Sequence, residues 1–155
     1  MKIETRGGIS FLKVDIFYKE YVKEEIELNP FMINIDQIRY IREYNDDIAN
    51  AWGIFVGNKM FATRDIDFDF EIGKTIRIGN TDFECAITSC LNGKEHYRTL
   101  INYKNVIHTR KYFSKDTENQ ENLDKFAIIT VDERIIAVNE YEPIRSTNNS
   151  ASVQA

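Results

Sequence analysis

The chain has 155 residues, a net charge of −5 and a pI of about 5.1, and 43% of its residues are hydrophobic. This length and hydrophobic share suit one ordinary domain or two small ones with a real core, and they exclude global disorder. The acidic balance disfavours non-specific binding to nucleic acid or to an anionic membrane, because both need a basic surface.

The first part of the chain alternates apolar and polar residues with a period of two. In "SFLKVDIFYK", Leu12, Val14, Ile16 and Tyr18 fall on one face of a strand, and the segment "VKEEIELN" alternates in the same way. A strand with one apolar face is typical of antiparallel sheets that have one side in water. The alternation therefore predicts half-buried antiparallel strands.

Helical signals are confined to one stretch, "DQIRYIREYNDDIANA". Asp36 could cap a short helix there, and a strand over "IRYIREY" fits the pattern equally well. We expect at most one short helix in the whole chain.

Three two-residue turn signals separate strand-like runs in the middle of the chain. They are Gly57-Asn58, Gly79-Asn80 and Asn92-Gly93. Such pairs are favoured in tight hairpins, because those turns need residues with positive φ. The spacing of the three pairs predicts an antiparallel β protein.

An acidic row in "TRDIDFDFEIG" has three readings: a metal site, a mimic of nucleic acid, and the solvated face of a strand. Its carboxylates are Asp65, Asp67, Asp69 and Glu71. A calcium loop of EF-hand type fails, because its glycine and glutamate positions hold other residues, and a straight row of side chains does not converge on one ion. The net charge is modest for a nucleic-acid mimic. The row therefore predicts a solvated strand face.

Reactive constellations are missing from the sequence. The two histidines, His96 and His108, form no catalytic spacing with a serine or a cysteine, and there is no phosphate-binding or dinucleotide fingerprint. Cys85 and Cys90 lie on opposite faces of a predicted strand, so they do not bridge each other there. We expect no enzyme, no cofactor and no metal.

One basic and aromatic stretch, "INYKNVIHTRKYF", is the candidate binding site. It could line a groove for an anionic ligand or a partner, since bases and other rings stack on aromatic side chains and cations pair with anions. The residues that would bind are Tyr103, Lys104, Arg110, Lys111 and Tyr112. An amphipathic strand end, with packed aromatic stems and solvated basic heads, is the structural alternative.

Two halves of the chain share a pattern. "MINIDQIRYIR" (32–42) resembles "LINYKNVIHTR" (100–110) at an offset of 68, and "VGNKMFATRDID" (56–67) resembles "VDERIIAVNEYE" (131–142) at an offset of 75. The additional residues fall in the polar segment 114–124, where insertion costs little. The order of features predicts a tandem duplication.

This half-unit resembles small strand-rich proteins of bacteriophages and mobile elements, and it is also similar to a short flagellar-operon protein family. The resemblance implies a fold and a phage-like origin, and it implies no catalytic residue. The matching residues are Ile33, Asn34, Ile38, Lys59, Ala62 and Asp65, and again Ile101, Asn102, Val106, Arg134, Val138 and Glu140.

Together these patterns predict an all-β protein built from two similar antiparallel units, packed as a sandwich or as paired barrels. The units are 1–72 and 73–144, followed by a polar tail, 145–155. There is no apolar segment typical of a secretory signal, and no run approaches the roughly 20 apolar residues of a membrane helix. We therefore expect the host cytosol or a virion as the location.

The expected function is a non-catalytic structural or assembly protein that works through protein–protein contacts. Its partner would be another protein or further copies of itself, as a homo-oligomer. The alternative is a cytosolic inhibitor or sponge that binds a host defence protein or a nucleotide signal. In that case a small anionic ligand would occupy the basic and aromatic stretch.

Overall fold

A computed structural model describes residues 2–20, 30–44, 51–89, 96–111, 126–131 and 134–139, with side chains in 2–20, 30–44, 51–88 and 97–109. The described residues form thirteen strands and two three-residue 3₁₀ turns. The strands are β1 (Lys2–Arg6), β2 (Ile9–Val14), β3 (Ile16–Glu20), β4 (Phe31–Asn34), β5 (Ile38–Glu43), β6 (Trp52–Val56), β7 (Lys59–Thr63), β8 (Thr75–Ile78), β9 (Thr81–Ser89), β10 (His96–Ile101), β11 (Val106–Lys111), β12 (Phe126–Val131) and β13 (Arg134–Asn139).

The strands form two antiparallel sheets. The smaller sheet has the order β1-β2-β4, and the larger has the order β11-β12-β13-β9-β10-β5-β6-β7-β3, with β8 beside β9. Neither sheet closes into a barrel among the described strands. The all-β prediction is confirmed. Within the described ranges, the helical structure consists of the two 3₁₀ turns, Ile35–Gln37 and Tyr103–Asn105.

The chain crosses between the sheets three times, and two of these crossings lie within the described residues. It passes from β2 to β3 at Asp15 and from β4 to β5 through the first 3₁₀ turn. The main core lies between the sheets, because apolar residues from both belong to one buried cluster. Its fully buried members include Leu12 of β2, Ile41 of β5 and Ile54 of β6. A second cluster, on alternate positions of β5 and β6, contains Tyr40 and Phe55.

The turn predictions hold where the structure describes them. Gly57 and Gly79 have φ of 58° and 60°, and each opens a tight hairpin with the asparagine that follows it. A left-handed backbone costs a glycine little, which explains the residue type at both positions. Asn92-Gly93 lies outside the described residues, as does "VKEEIELN".

The predicted common face of "SFLKVDIFYK" holds for three of its four residues. Leu12, Val14 and Ile16 are buried, whereas Tyr18 is 42% exposed. The cause is a register shift between Ile16 and Tyr18 in the pairing of β3 with β7. A bulge inserts one residue and reverses which positions face the core after it.

The acidic row is solvated as predicted, but it is not a strand. Residues 65–71 are extended without pairing to any described strand, and the four carboxylate residues are exposed. Ile66, between the first two, is only 2% exposed, and the ring of Phe68 packs edge-on against Trp52. The alternation of exposed and buried residues therefore arises because one side of the segment packs on the core. It does not arise from hydrogen bonding to a described neighbouring strand.

The β8–β9 hairpin touches the first 3₁₀ turn, and this contact can be tested with two matched glycines. A Cβ on Gly79 would lie 3.0 Å from Cδ1 of Ile35, whereas a Cβ on Gly57 would meet nothing within 4 Å. Both have positive φ, so Gly57→Ala should lose about 1 kcal/mol from the left-handed backbone alone. We expect Gly79→Ala to lose roughly 1–3 kcal/mol more because of overpacking. Urea unfolding measures both, and equal losses would contradict the close contact.

Candidate functional site

The two 3₁₀ turns are built in the same way. The Asn34 side chain Oδ1 accepts a hydrogen bond from the N–H of Asp36 at 3.1 Å, and the Asn102 Oδ1 accepts one from the N–H of Lys104 at 3.1 Å. An asparagine that caps its own backbone two residues later is a common way to start such a turn. The sequence places each asparagine at the end of a strand, so each turn redirects the chain into the next strand.

Asparagine side chains of the second turn hold the first turn in place. Asn102 is fully buried, and its Nδ2 donates to the carbonyl of Ile38 at 2.9 Å. Asn105 Nδ2 donates to the carbonyls of Ile38 and Asp36 at 2.9 and 2.8 Å. The backbone N–H of Asn102 donates to the carbonyl of Arg39 at 3.1 Å. These bonds continue the β5–β10 pairing into the turns.

Charged side chains where the two 3₁₀ turns meet are largely in water. Lys104 Nζ lies 3.7 Å from Oδ1 of Asp36, and these side chains are 61% and 60% exposed. An exposed pair of this kind contributes little. Thr81 Oγ1 also donates to Asp36 Oδ1, at 2.5 Å. The buried amide of Asn102, rather than the ion pair, is therefore the main polar connection.

Two strands next to the 3₁₀ turns, β4 and β11, have an edge without a described partner strand. β4 ends the smaller sheet, and β11 ends the larger sheet. The sequence of β4, "FMIN", carries no charge, and Ile107 of β11 is 63% exposed. Edge strands normally carry charges, prolines or bulges that prevent pairing with other chains. The open edges of β4 and β11 form the candidate functional site.

The predicted binding stretch is distributed along β11 and the turn before it. Tyr103 and Lys104 lie in the second 3₁₀ turn, and the Tyr103 hydroxyl donates to Oε1 of Glu84 at 3.2 Å. Arg110 and Lys111 end β11, four and five residues after its first residue, Val106, or roughly 13 and 17 Å along the strand at 3.3 Å per residue. Tyr112 lies outside the described residues. The structure brings Tyr103 and Lys104 together and sets Arg110 and Lys111 at the other end of the strand.

Sequence reasoning missed an arginine that joins strands β5 and β10. The backbone N–H and Nε of Arg98 donate to the two carboxylate oxygens of Glu43 at 2.8 and 2.7 Å. The guanidinium lies 5.3 Å from the ring centre of Trp52 and 5.6 Å from that of Phe70. Stacked and paired in this way, Arg98 holds the junction strands together. No local motif signals it, because its partners are distant in sequence.

Cys85 is the cysteine whose side chain the structure describes, and it lies in the core at 1% exposure. Burial raises the pKa of its thiol, so the reactive thiolate is disfavoured. Within residues 2–20, 30–44, 51–88 and 97–109, no three His, Cys, Asp or Glu side chains are grouped closely enough to hold a metal ion. No helix in the described part of the chain is long and apolar enough to cross a membrane.

Comparison with protein-family models, curated proteins and solved structures found no match for this chain. Function is therefore inferred from the contacts and edges described above.

The two capping asparagines give a matched test of the junction. Asn102→Ala removes both the cap and the buried donor to Ile38, so we expect a loss of about 2–4 kcal/mol of unfolding free energy, since a buried carbonyl loses a partner. Asn34→Ala removes only an exposed cap and should cost about 1 kcal/mol. Chemical denaturation measures both. A loss for Asn34→Ala equal to that for Asn102→Ala would show that the buried amide has no special role.

Proposed function

We propose that this protein is a non-catalytic structural or assembly protein, of phage or mobile-element origin, that acts through protein–protein contacts at its strand edges. It works in the host cytosol or in a virion. It is built from two duplicated β units. The observation that carries the proposal is the pair of edges at β4 and β11, which have no partner strand within the described part of the chain.

The duplication is supported by matching registers in the second part of each unit. Ile38 pairs with Val56 in β5–β6, and Val106 pairs with Val131 in β11–β12. Val106 follows Ile38 by 68 positions, and Val131 follows Val56 by 75 positions. These are the two offsets found in the sequence pattern. Each ladder then has a register shift at the same place, after Ile38 in one and after Val106 in the other.

The first part of each unit gives independent support. In the β1–β2 hairpin Arg6 pairs with Ile9, and in the β8–β9 hairpin Ile78 pairs with Thr81, 72 positions later. Both hairpins use a two-residue turn with a glycine at positive φ first. A shared register in four strands and two turns is hard to obtain from unrelated segments, because register depends on turn geometry and face pattern together.

Assembly is supported by the chemistry of the edges. A strand edge offers a row of N–H and C=O groups to a passing strand, and only sequence features or a cover prevent pairing. β4 carries no charged residue, whereas β1 and β3 carry lysine, arginine or glutamate, and β11 carries its charges at its end, at Arg110 and Lys111. The uncharged edge of β4 and the exposed Ile107 of β11 both suit contact with another protein.

The sponge alternative has less support. It requires cations that are available to an anionic ligand. Lys104 lies near Asp36, and Tyr103 donates to Glu84, so acidic groups already surround the described end of the predicted stretch. Arg110, Lys111 and Tyr112 stay predicted binding residues, because their side chains are not among those described.

Self-association tests the proposal. We expect light scattering over about 1–100 µM protein, a range in which specific contacts of moderate size associate, to give a mass above one chain. Ile107→Lys should weaken association by roughly tenfold, because a lysine on an open edge opposes pairing. Ile3→Lys is the control, since Ile3 is 41% exposed on β1, the opposite edge of the smaller sheet from β4.

A single-chain mass at every concentration, with no effect of either variant, would contradict assembly through these edges. Association lost in Ile3→Lys and kept in Ile107→Lys would move the contact to the edge of β1.

A further inference from the structure

The β5–β10 pairing inside the chain has a counterpart, β4 with β11, that is not made among the described strands. We infer that the open edge of β11 pairs with β4 of a second copy, and that a two-fold axis makes the same contact twice in one dimer. This inference rests on the proposed function and names its partner and register.

The template is the junction between the two units. β10 of the second unit pairs antiparallel with β5 of the first, with Leu100 opposite Ile41. The N–H of Asn102 then donates to the carbonyl of Arg39 at 3.1 Å. By the offset of 68, β10 corresponds to β4, and β5 corresponds to β11. The corresponding contact therefore joins β4 to β11.

The two 3₁₀ turns meet at equivalent residues, as they would beside a pseudo-two-fold axis. Asp36 and Lys104 are equivalent by the offset of 68, and Lys104 Nζ lies 3.7 Å from Asp36 Oδ1. A residue that meets its own equivalent lies beside such an axis. An exact axis would repeat the Asn102–Arg39 bond as a bond from the N–H of Asn34 to the carbonyl of Ile107. The described hydrogen bonds do not include that bond, so the symmetry does not extend to β4 and β11.

Burial shows what the missing contact leaves uncovered. Residues 39–41 of β5 are at most 2% exposed, because β10 covers their edge and the sheets cover their faces. The equivalent residues of β11 are all exposed, and Ile107 reaches 63%. On the opposite side, Leu100 of β10 is fully buried, whereas its equivalent, Met32 of β4, is half-buried.

A second copy satisfies both edges with one operation. Each copy presents one β4 edge and one β11 edge, so a two-fold axis brings each edge to its complement in the partner. The expected register follows from the template: Met32 of one copy lies opposite Thr109 of the other. The partner is therefore a second copy of this chain. The β5–β10 pairing inside the chain shows that the strands equivalent to β11 and β4 pair with each other.

Disulfide trapping tests the contact and its register. In a Cys85→Ala, Cys90→Ser background, Met32→Cys protein is mixed with a differently tagged Thr109→Cys protein and oxidised gently. Opposed residues on antiparallel strands have Cα atoms about 4.5–5.5 Å apart, which suits a disulfide. We expect a covalent dimer that contains both tags. Met32→Cys with His108→Cys is the control, and its yield should be roughly tenfold lower because a one-residue slip points the side chain to the other face.

The double variant Met32→Cys, Thr109→Cys distinguishes copies from self-closure. A dimer with two bridges supports the inference. A bridged single chain would overturn it, since β4 would then pair with β11 of its own chain.

A proline substitution on β11 tests the same contact without cysteines, through the dissociation constant of the dimer. The Arg39 carbonyl faces β10, so by alternation Ile41 and its equivalent Thr109 direct their N–H groups to that edge. Thr109→Pro should raise the dimer dissociation constant at least about tenfold, because it removes an edge donor, while Thr109→Val should leave it nearly unchanged. Equal behaviour of the two variants would overturn the inference.

Failure of this inference differs from failure of the proposed function. Light scattering that shows an assembly, with no cross-linked product in any mixture, would reject the β4–β11 contact and keep assembly through another edge. A single-chain mass at all concentrations would reject both.

Discussion

The buried amide of Asn102 is the contact on which the arrangement of the two sheets depends. The chain leaves the smaller sheet through the first 3₁₀ turn, and a turn exposes backbone groups that no ladder pairs. Asn102 gives one of those groups, the Ile38 carbonyl, a partner from a strand 64 positions away in the sequence. Its oxygen starts the second turn at the same time. Together with Asn105, which donates to the same carbonyl, this side chain connects the two turns at the end of the β5–β10 pairing.

Local chemistry made much of the fold predictable. The Gly57-Asn58 and Gly79-Asn80 turns are encoded by glycine at positive φ, and the buried face of β2 is encoded by a period of two. Both signals lie within a few residues, so one sequence is enough to read them. The prediction for Tyr18 was wrong because the bulge in β3 comes from its pairing with β7, which the sequence of β3 alone does not contain.

Contacts between residues distant in the sequence determine the features of the fold and the site that could not be predicted. The acidic row alternates like a strand, but its alternation arises because Ile66 and Phe68 lie on the core. The sequence could place Asn102 in a shared pattern, yet its complete burial depends on the Ile38 carbonyl reached through β5–β10 pairing. The same is true of Arg98, whose carboxylate partner Glu43 is 55 positions away. The open edges of β4 and β11 could be recognised only once the strand order was known.

The crossing at Asp15 carries a consequence for how the chain reaches this fold. The Thr63 hydroxyl donates to the Asp15 carbonyl at 2.6 Å and accepts from the N–H of Asp65 at 3.0 Å. Thr63 is fully buried and ends β7, 48 positions after Asp15. The bend that takes the chain from β2 in the smaller sheet to β3 in the larger sheet therefore gains this contact only once β3 has paired with β7. Because contacts distant in sequence form slowly, we expect the smaller sheet to dock after the local hairpins have formed.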